Sequence, residues 1–356
     1  MTALAPEPSL IGEHPLKRAR LPRFAPLIAL VVAGAAAALI GLSLGWNLAG
    51  IVVLGGLVYV IGLSTWSRVV ENARASTDRL VTSLVWTALV IALIPLVSLL
   101  YKVISEGSGS INTKFLTWTM RNVIDGPGGI YHAIMGTLLI TLGATLISVP
   151  IGLLAAVYLV EYGQSSRLAS WIRFLVDVMT GIPSIVAGLF AYALFSIIIG
   201  PGTQFGLGGS VALSILMIPI VVRSSEEMLK LVPSDLREAS YALGVPKWKT
   251  IVKVVIPTAM AGIITGVTLA IARVIGETAP LLIICGATDS LNTDMLHGQM
   301  ASLPVFIYTS YANPGSNPEV LRHMAWGAAL VLIVIVMTLN ILARVLGKVL
   351  APKSGH

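Results

Sequence analysis

Charge is what this sequence is short of. Only 11% of its 356 residues are Asp, Glu, Lys or Arg, against about a quarter in soluble domains, and 56% are hydrophobic. That balance excludes a soluble globular chain and leaves a polytopic membrane protein. The single cysteine, Cys285, excludes an internal disulfide, and its apolar surroundings mark it as a small core residue. No Gly-Lys-Ser/Thr follows Gly206, Gly208 and Gly209, so these read as a turn and the chain lacks a phosphate-binding loop of its own. His132, His297 and His323 fall in or near expected external loops without metal-ligand spacing. With no paired-histidine metal site and no His-supported nucleophile, an intramembrane enzyme is disfavoured. No internal repeat stands out, which argues against an inverted-repeat transporter.

What is present is a series of long apolar runs. A hydrocarbon core about 30 Å thick needs roughly 20 apolar residues per helix. Eight stretches qualify: 25–45, 48–64, 80–101, 132–160, 174–199, 209–222, 259–286 and 325–346. The sixth is short and holds Pro219, which reads as a kink, as does Pro150. Trp46, Trp66, Trp86, Trp118 and Trp326 lie near expected span ends, as interfacial anchors do. Basic residues set the orientation, because cytoplasmic loops carry the excess of Lys and Arg. Lys17, Arg18, Arg20 and Arg23 precede the first span; Arg68, Arg74 and Arg79 follow the second; Arg167 and Arg173 follow the fourth. A denser run spans 223–253, and Arg344, Lys348 and Lys353 close the chain. Only Lys102, Lys114, Arg121 and Arg322 fall on the other side. The expectation is a multi-pass protein of the plasma membrane with both termini cytoplasmic, including tails over 1–24 and 348–356. The net charge of +7 is then largely a topology signal, attuned to the inner leaflet and not to nucleic acid.

The longest cytoplasmic segment, 223–257, does not read as a disordered loop. Pro233 suits a helix start, Asp235 and Glu238 complement its positive end, and Leu236, Ala239 and Leu243 share one face. Gly244 supplies a left-handed stop. Pro246 opens a second helix with Trp248, Ile251, Val252 and Val255 on one face, and Pro257 is expected to end it. Helices of about ten residues are marginal in water unless something packs on them. The apolar faces therefore need either the lipid interface or a soluble protein.

The order Glu238-Ala239-Ser240, Gly244, then "VVIP" ending at Pro257 resembles the cytoplasmic signature of ATP-binding-cassette importer permeases, Glu-Ala-Ala, Gly, Ile-x-Leu-Pro. Ser240 replaces the second alanine, and Val254 and Ile256 stand for Ile and Leu. The resemblance implies that 224–257 forms coupling helices seated in a groove of a separate ATP-hydrolysing subunit, with Glu238, Ala239, Ser240, Gly244 and Pro257 as coupling residues.

The seventh stretch adds charge inside the membrane. "AGIITGVTLAIARVIGETAP", 261–280, carries Gly262, Gly266 and Ala270 at four-residue spacing, a strip for close helix approach. Continued as one helix, it places Arg273 about 20° and Glu277 about 60° from Gly262 around the axis, on the packed face. An intramembrane charge costs at least about 2.5 kcal/mol and marks function by default. Arg273 and Glu277 could neutralise each other at i, i+4 spacing. Alternatively, Arg273 offers its forked donors to a passing anion while Glu277 holds it in place. In "TGIPSIVAGL", 180–189, Pro183 must kink or break the fifth span, and a freed helix N-terminus would present N–H groups to an oxyanion. Thr180 and Ser184 flank it as candidate donors.

"ARVIGETAP", "TGIPSIVAGL" and "GTLLIT" (136–141) together look like the permeases of the bacterial high-affinity phosphate importer, the A-type more than its C-type companion. The resemblance covers roughly 80–346. It implies an all-α, six-helix type I permease core, taken as 80–347, and the hairpin at 25–67 is an addition. It implies a non-catalytic chain that moves phosphate by alternating access, with Arg273 and Glu277 in the substrate pathway, to which the reading of the Pro183 break adds Thr180 and Ser184. It further implies that this chain binds no cofactor or metal, ATP and Mg belonging to the partner ATPase. The implied partners are a C-type permease, two ATPase copies and an extracytoplasmic phosphate-binding protein, in the bilayer. The competing readings are a permease for sulfate, molybdate or phosphonate, and a proton-coupled secondary transporter using the Arg273–Glu277 pair.

Overall fold

The computed structural model describes residues 21–123, 126–163, 166–315 and 317–350. Most of the expected N-terminal tail, with Lys17, Arg18 and Arg20, lies outside the described residues, as does Lys353. The described residues are helical and contain no strand. The chain divides into two compact units, Met1–Leu100 and Tyr101–His356. The helices in order are α1 (Ala25–Ser43), α2 (Leu48–Val70), α3 (Ala73–Gly107), α4 (Thr113–Thr117), α5 (Tyr131–Val157), α6 (Arg167–Thr180) and α7 (Ser184–Ile198). They continue with α8 (Gly206–Lys230), α9 (Ser234–Ala242), α10 (Lys247–Thr250), α11 (Ile256–Val274), α12 (Ala279–Ile284), α13 (Leu303–Ala312) and α14 (Pro318–Leu350).

In the first unit α1 and α2 form a hairpin. Asn47 caps α2 by accepting from the Gly50 amide at 3.0 Å. Gly41 leaves room for the Ile51 side chain, whereas Gly34 faces open space. The turn into α3 is closed by Glu71, whose carboxylate accepts two hydrogen bonds from Arg79 at 2.8 and 2.9 Å, one from Ser67 at 2.7 Å and one from the Leu21 amide at 2.9 Å.

The second unit is built around α5 and α8. Ile140 and Ala144 of α5 meet Leu213, Met217 and Val221 of α8, Ala270 and Val274 of α11, Leu281 and Ile284 of α12, and Cys285 just after it in one buried core. Small residues allow these approaches: a methyl group at Gly188 would lie 2.5 Å from the Pro280 Cα. Gly262 and Gly266 face Met228 and Ser224 of α8 in the same way. Cys285 is buried, as its apolar run suggested.

Several sequence expectations change here. Seven described helices are long and apolar enough to cross a membrane, and the fifth expected span is not one of them. It is a broken pair, α6 and α7, bent by 110° at residues 181–183. Pro183 lacks an N–H to continue α6 and is preset to start a new helix. The expected seventh span also breaks: α11 stops at Val274 and α12 begins only at Ala279. Gly206, Gly208 and Gly209 open α8 instead of forming a turn, packing against Met300, Ile284 and Cys285. His132 is 1% exposed and meets the Phe306 ring edge-on at 5.9 Å, so it is not a surface residue. Its cover is α13, a ten-residue helix too short to register as a span.

Candidate functional site

The break between α6 and α7 opens a cavity of about 270 Å³ lined by Met179, Thr180, Ile182, Pro183, Ser184, Leu216, Pro219, Ile220, Arg273 and Glu277. Pro219, read from sequence as a kink only, is part of its wall. All four substrate-pathway candidates lie on this one cavity, brought there by α6, the start of α7, the end of α11 and the segment beyond it. Pro183 precedes α7, and its carbonyl accepts from the Val186 and Ala187 amides at 2.9 and 3.3 Å. The first amides of a helix have no intrahelical acceptor, and they carry its partial positive charge. The Ser184 end of α7 thus brings donors to the cavity. The Thr180 hydroxyl donates to the Val176 carbonyl at 2.8 Å and retains lone pairs towards the cavity.

Arg273 occupies the last turn of α11, where a cation complements the helix dipole. It is exposed, while its neighbours Ala270 and Val274 are buried in the core. The expectation that both charges share the packed face of one helix is therefore corrected. Ile275 ends the helix, and a tight turn, with the Glu277 amide donating to the Val274 carbonyl at 3.1 Å, carries Glu277 off it. The i, i+4 geometry no longer applies. Among the described residues neither Arg273 nor Glu277 makes a side-chain hydrogen bond or ion pair. The guanidinium fork is open to the cavity, and Glu277 does not brace it. What this arrangement can do chemically is receive a small oxyanion on a planar set of charged donors, helped by the amides of α7.

The cytoplasmic-signature segment forms a second site. α9 ends in a Schellman arrangement: the Val245 amide donates to the Ser240 carbonyl at 3.2 Å and the Gly244 amide to the Tyr241 carbonyl at 2.9 Å, with Gly244 at φ +75°. Ser240 is buried and its hydroxyl lies 2.8 Å from the Thr250 hydroxyl, tying α9 to α10. Glu238 and Ala239 are exposed. Leu236, Leu243, Trp248 and Val252 are exposed too, and Leu236 and Leu243 line a groove of about 590 Å³ together with Gly244, Val245 and Pro246. Ile251 and Val255, assigned from sequence to the same face, are buried against the bundle.

Pro257 does not end the second helix. A wide π turn at Ile251–Val255 joins α10 to α11, giving the proline ring room and making one continuous span from Lys247 to Val274. Two residues that sequence reasoning missed anchor this segment. Arg237 donates to Glu161 at 3.0 Å and to the carbonyls of Leu229 and Val232, and Lys247 donates to the Glu161 carbonyl. Glu161 sits in a π turn at the end of α5 that periodicity could not show.

Residues 148–356 match the family described as binding-protein-dependent transport system inner membrane component. The chain belongs to this family. It is 49% identical to the phosphate transport system permease protein PstA 1 of Mycobacterium tuberculosis (strain CDC 1551 / Oshkosh), over 77% of this chain and 89% of that relative. It is 38% identical to the phosphate transport system permease protein PstA of Yersinia pestis, over 77% and 90%. Its fold is similar to that of a chain in the crystal structure of a bacterial alginate ABC transporter in complex with an alginate pentasaccharide-bound periplasmic protein. That likeness has a TM-score of 0.56 at 15% identity and covers 76% of this chain and 96% of that one.

Proposed function

We propose that this chain is the transmembrane permease subunit of an ATP-driven importer that carries inorganic phosphate across the cytoplasmic membrane. The observation that carries the reading is Arg273, unpaired and exposed to a cavity that also receives the α7 N-terminus. Relatives named for phosphate transport supply the substrate. The paired Arg273–Glu277 reading behind a proton-coupled transporter loses support, because the two side chains do not meet.

In this reading the chain is not the catalyst. ATP and Mg are held by a separate ATPase, present in two copies, whose grooves receive the α9–α10 unit. Leu243, at 83% exposed, and Trp248, at 62%, are the apolar contacts it offers. A homologous C-type permease completes the pore, and an extracytoplasmic binding protein delivers phosphate. Both termini and the α9–α10 unit face the cytoplasm. Closure of the ATPase dimer shifts α9 and α10. Through Arg237, Glu161 and the unbroken α10–α11 span, that shift reaches Arg273, which admits and then releases the anion. Glu277 sets the local potential from the cavity wall, and Thr180 and Ser184 supply neutral contacts.

The test is uptake of labelled phosphate at limiting concentration in cells carrying Arg273→Gln. Losing one charge-assisted bidentate contact lowers uptake at least about tenfold. Normal uptake at normal subunit level removes Arg273 from the mechanism. Co-purification followed by identification of the attached proteins tests the partners.

A further inference from the structure

The walls of the Arg273 cavity do not end at the cavity. On α8, Leu216 and Ile220 line it, and Arg223 follows Ile220 at three-residue spacing on the same face, with Glu226 and Lys230 beyond. On α6, Thr180 lines it, Asp177 precedes Thr180 by three residues, and Arg173 precedes Asp177 by four. Each step along either helix is about 5 Å. The two strips meet as ion pairs. Arg223 is bonded to Asp177, the Arg173 Nε lies 3.5 Å from Glu226, and Lys230 lies 2.8 Å from the same carboxylate. Arg173 also donates to the Leu159 carbonyl at 3.4 Å.

Resting on the reading above, we propose that Arg223 is a second oxyanion station, to which phosphate passes from Arg273 on its way to the cytoplasmic end. Three features fit a relay better than a clip. Arg223 and Asp177 are 53% and 60% exposed, so neither is sealed in the core and the pair is open to exchange with a mobile anion. Ion pairs so exposed contribute little to stability, typically about 0–1 kcal/mol. The sequence of charges also has the form that conduction requires. An arginine already held by a carboxylate accepts an anion weakly and lets it go, as passage between successive sites requires. The entering phosphate takes the Arg223 donors, Asp177 swings free, and the carboxylate reclaims the guanidinium as the anion leaves. No bond is made or broken. Next along the strip, Arg173 and Lys230 share the single carboxylate of Glu226, leaving one unit of positive charge to draw the anion onward.

The experiment is uptake of labelled inorganic phosphate at limiting concentration, in cells whose chromosomal copy is replaced by variants and with subunit levels measured by immunoblot. Arg223→Gln lowers uptake about tenfold, while Asp177→Asn, which breaks the same ion pair but keeps the cation, retains at least about half. The exchanged pair Asp177→Arg with Arg223→Asp does not restore transport, because the cation then sits on the wrong wall. A structural clip gives the opposite pattern, equal loss in both single variants and recovery in the exchange, and overturns the proposal. Normal uptake by Arg223→Gln also overturns it. Should Arg223→Gln fail to accumulate, Asp177→Asn decides: preserved uptake supports the station, and a tenfold loss at normal level refutes it. Arg273→Gln, run in parallel, separates the two readings. Loss there with normal uptake in Arg223→Gln removes only the second station, and normal uptake in both removes the cavity as well.

Discussion

Arg273 and Ser184 reach one cavity from segments nearly ninety residues apart, and the physical reason differs for each. Arg273 is held by what its neighbours bury: Ala270 and Val274 are fixed in the core, which leaves the side chain between them on the exposed flank of the helix. Ser184 is placed by Pro183, which cannot lie inside a helix and therefore begins one. The arginine was legible because charge in an apolar run is conspicuous. Its relation to Glu277 was not, because nothing in "ARVIGETAP" announces that the helix stops at Val274. Gly244 shows the opposite case, where local chemistry suffices. Its φ of +75° is the left-handed conformation expected of a glycine stop, and nothing lies within 4 Å of where a Cβ would be. Gly244→Val is thus opposed by backbone strain, about 1–2 kcal/mol, and not by crowding. The expected outcome is an assembled complex that hydrolyses ATP with less phosphate moved per ATP, measured as the ratio of the two rates in proteoliposomes.

At the scale of elements, the pieces legible in the sequence are the long helices and the proline-started, glycine-stopped α9–α10 pair. Those that periodicity missed or merged are the short, interrupted ones: α12, α13, the π turns and the α6–α7 break. A bent pair of 110° and a continuous span have the same hydropathy, since apolar windows do not encode direction. The α2–α3 turn offers an element-level test. Hydrogen bonds from Arg79 above all, then from Ser67 and the Leu21 amide, hold the Glu71 carboxyl down from its ordinary 4.5 to about 2. A carboxyl lowered on folding stabilises the native state above its unfolded value, and that stabilisation is lost as pH falls through the folded one. The α2–α3 turn should therefore loosen between pH 4.5 and about 2, and hardly at all from 7 to 5. Amide exchange measured across that range checks this, and in Glu71→Gln the acid-dependent part should disappear.

For the whole molecule, orientation is the property most open to direct measurement. With the α9–α10 unit cytoplasmic, the segment between α12 and α13 lies outside. A cysteine introduced at exposed Ser234 should react with an impermeant maleimide only in inverted vesicles, and one at exposed Thr293 only in intact cells. Native Cys285, fully buried, should react in neither, so it need not be removed first. Labelling of both positions from one side would reverse the topology and with it the direction assigned to the charged strip.

Membrane residence, the number of long apolar runs, the asymmetry of basic residues and the glycine-stopped helix pair were determined by the sequence alone. Each depends on composition or on contacts within a few residues, which solvent and backbone geometry enforce without a partner. Where the helices break, which charges find each other, and that Thr180, Ser184, Arg273 and Glu277 share one cavity were decided only by the tertiary structure. Those outcomes depend on which side chains the core has room to bury, and the space is set by helices far apart in the chain.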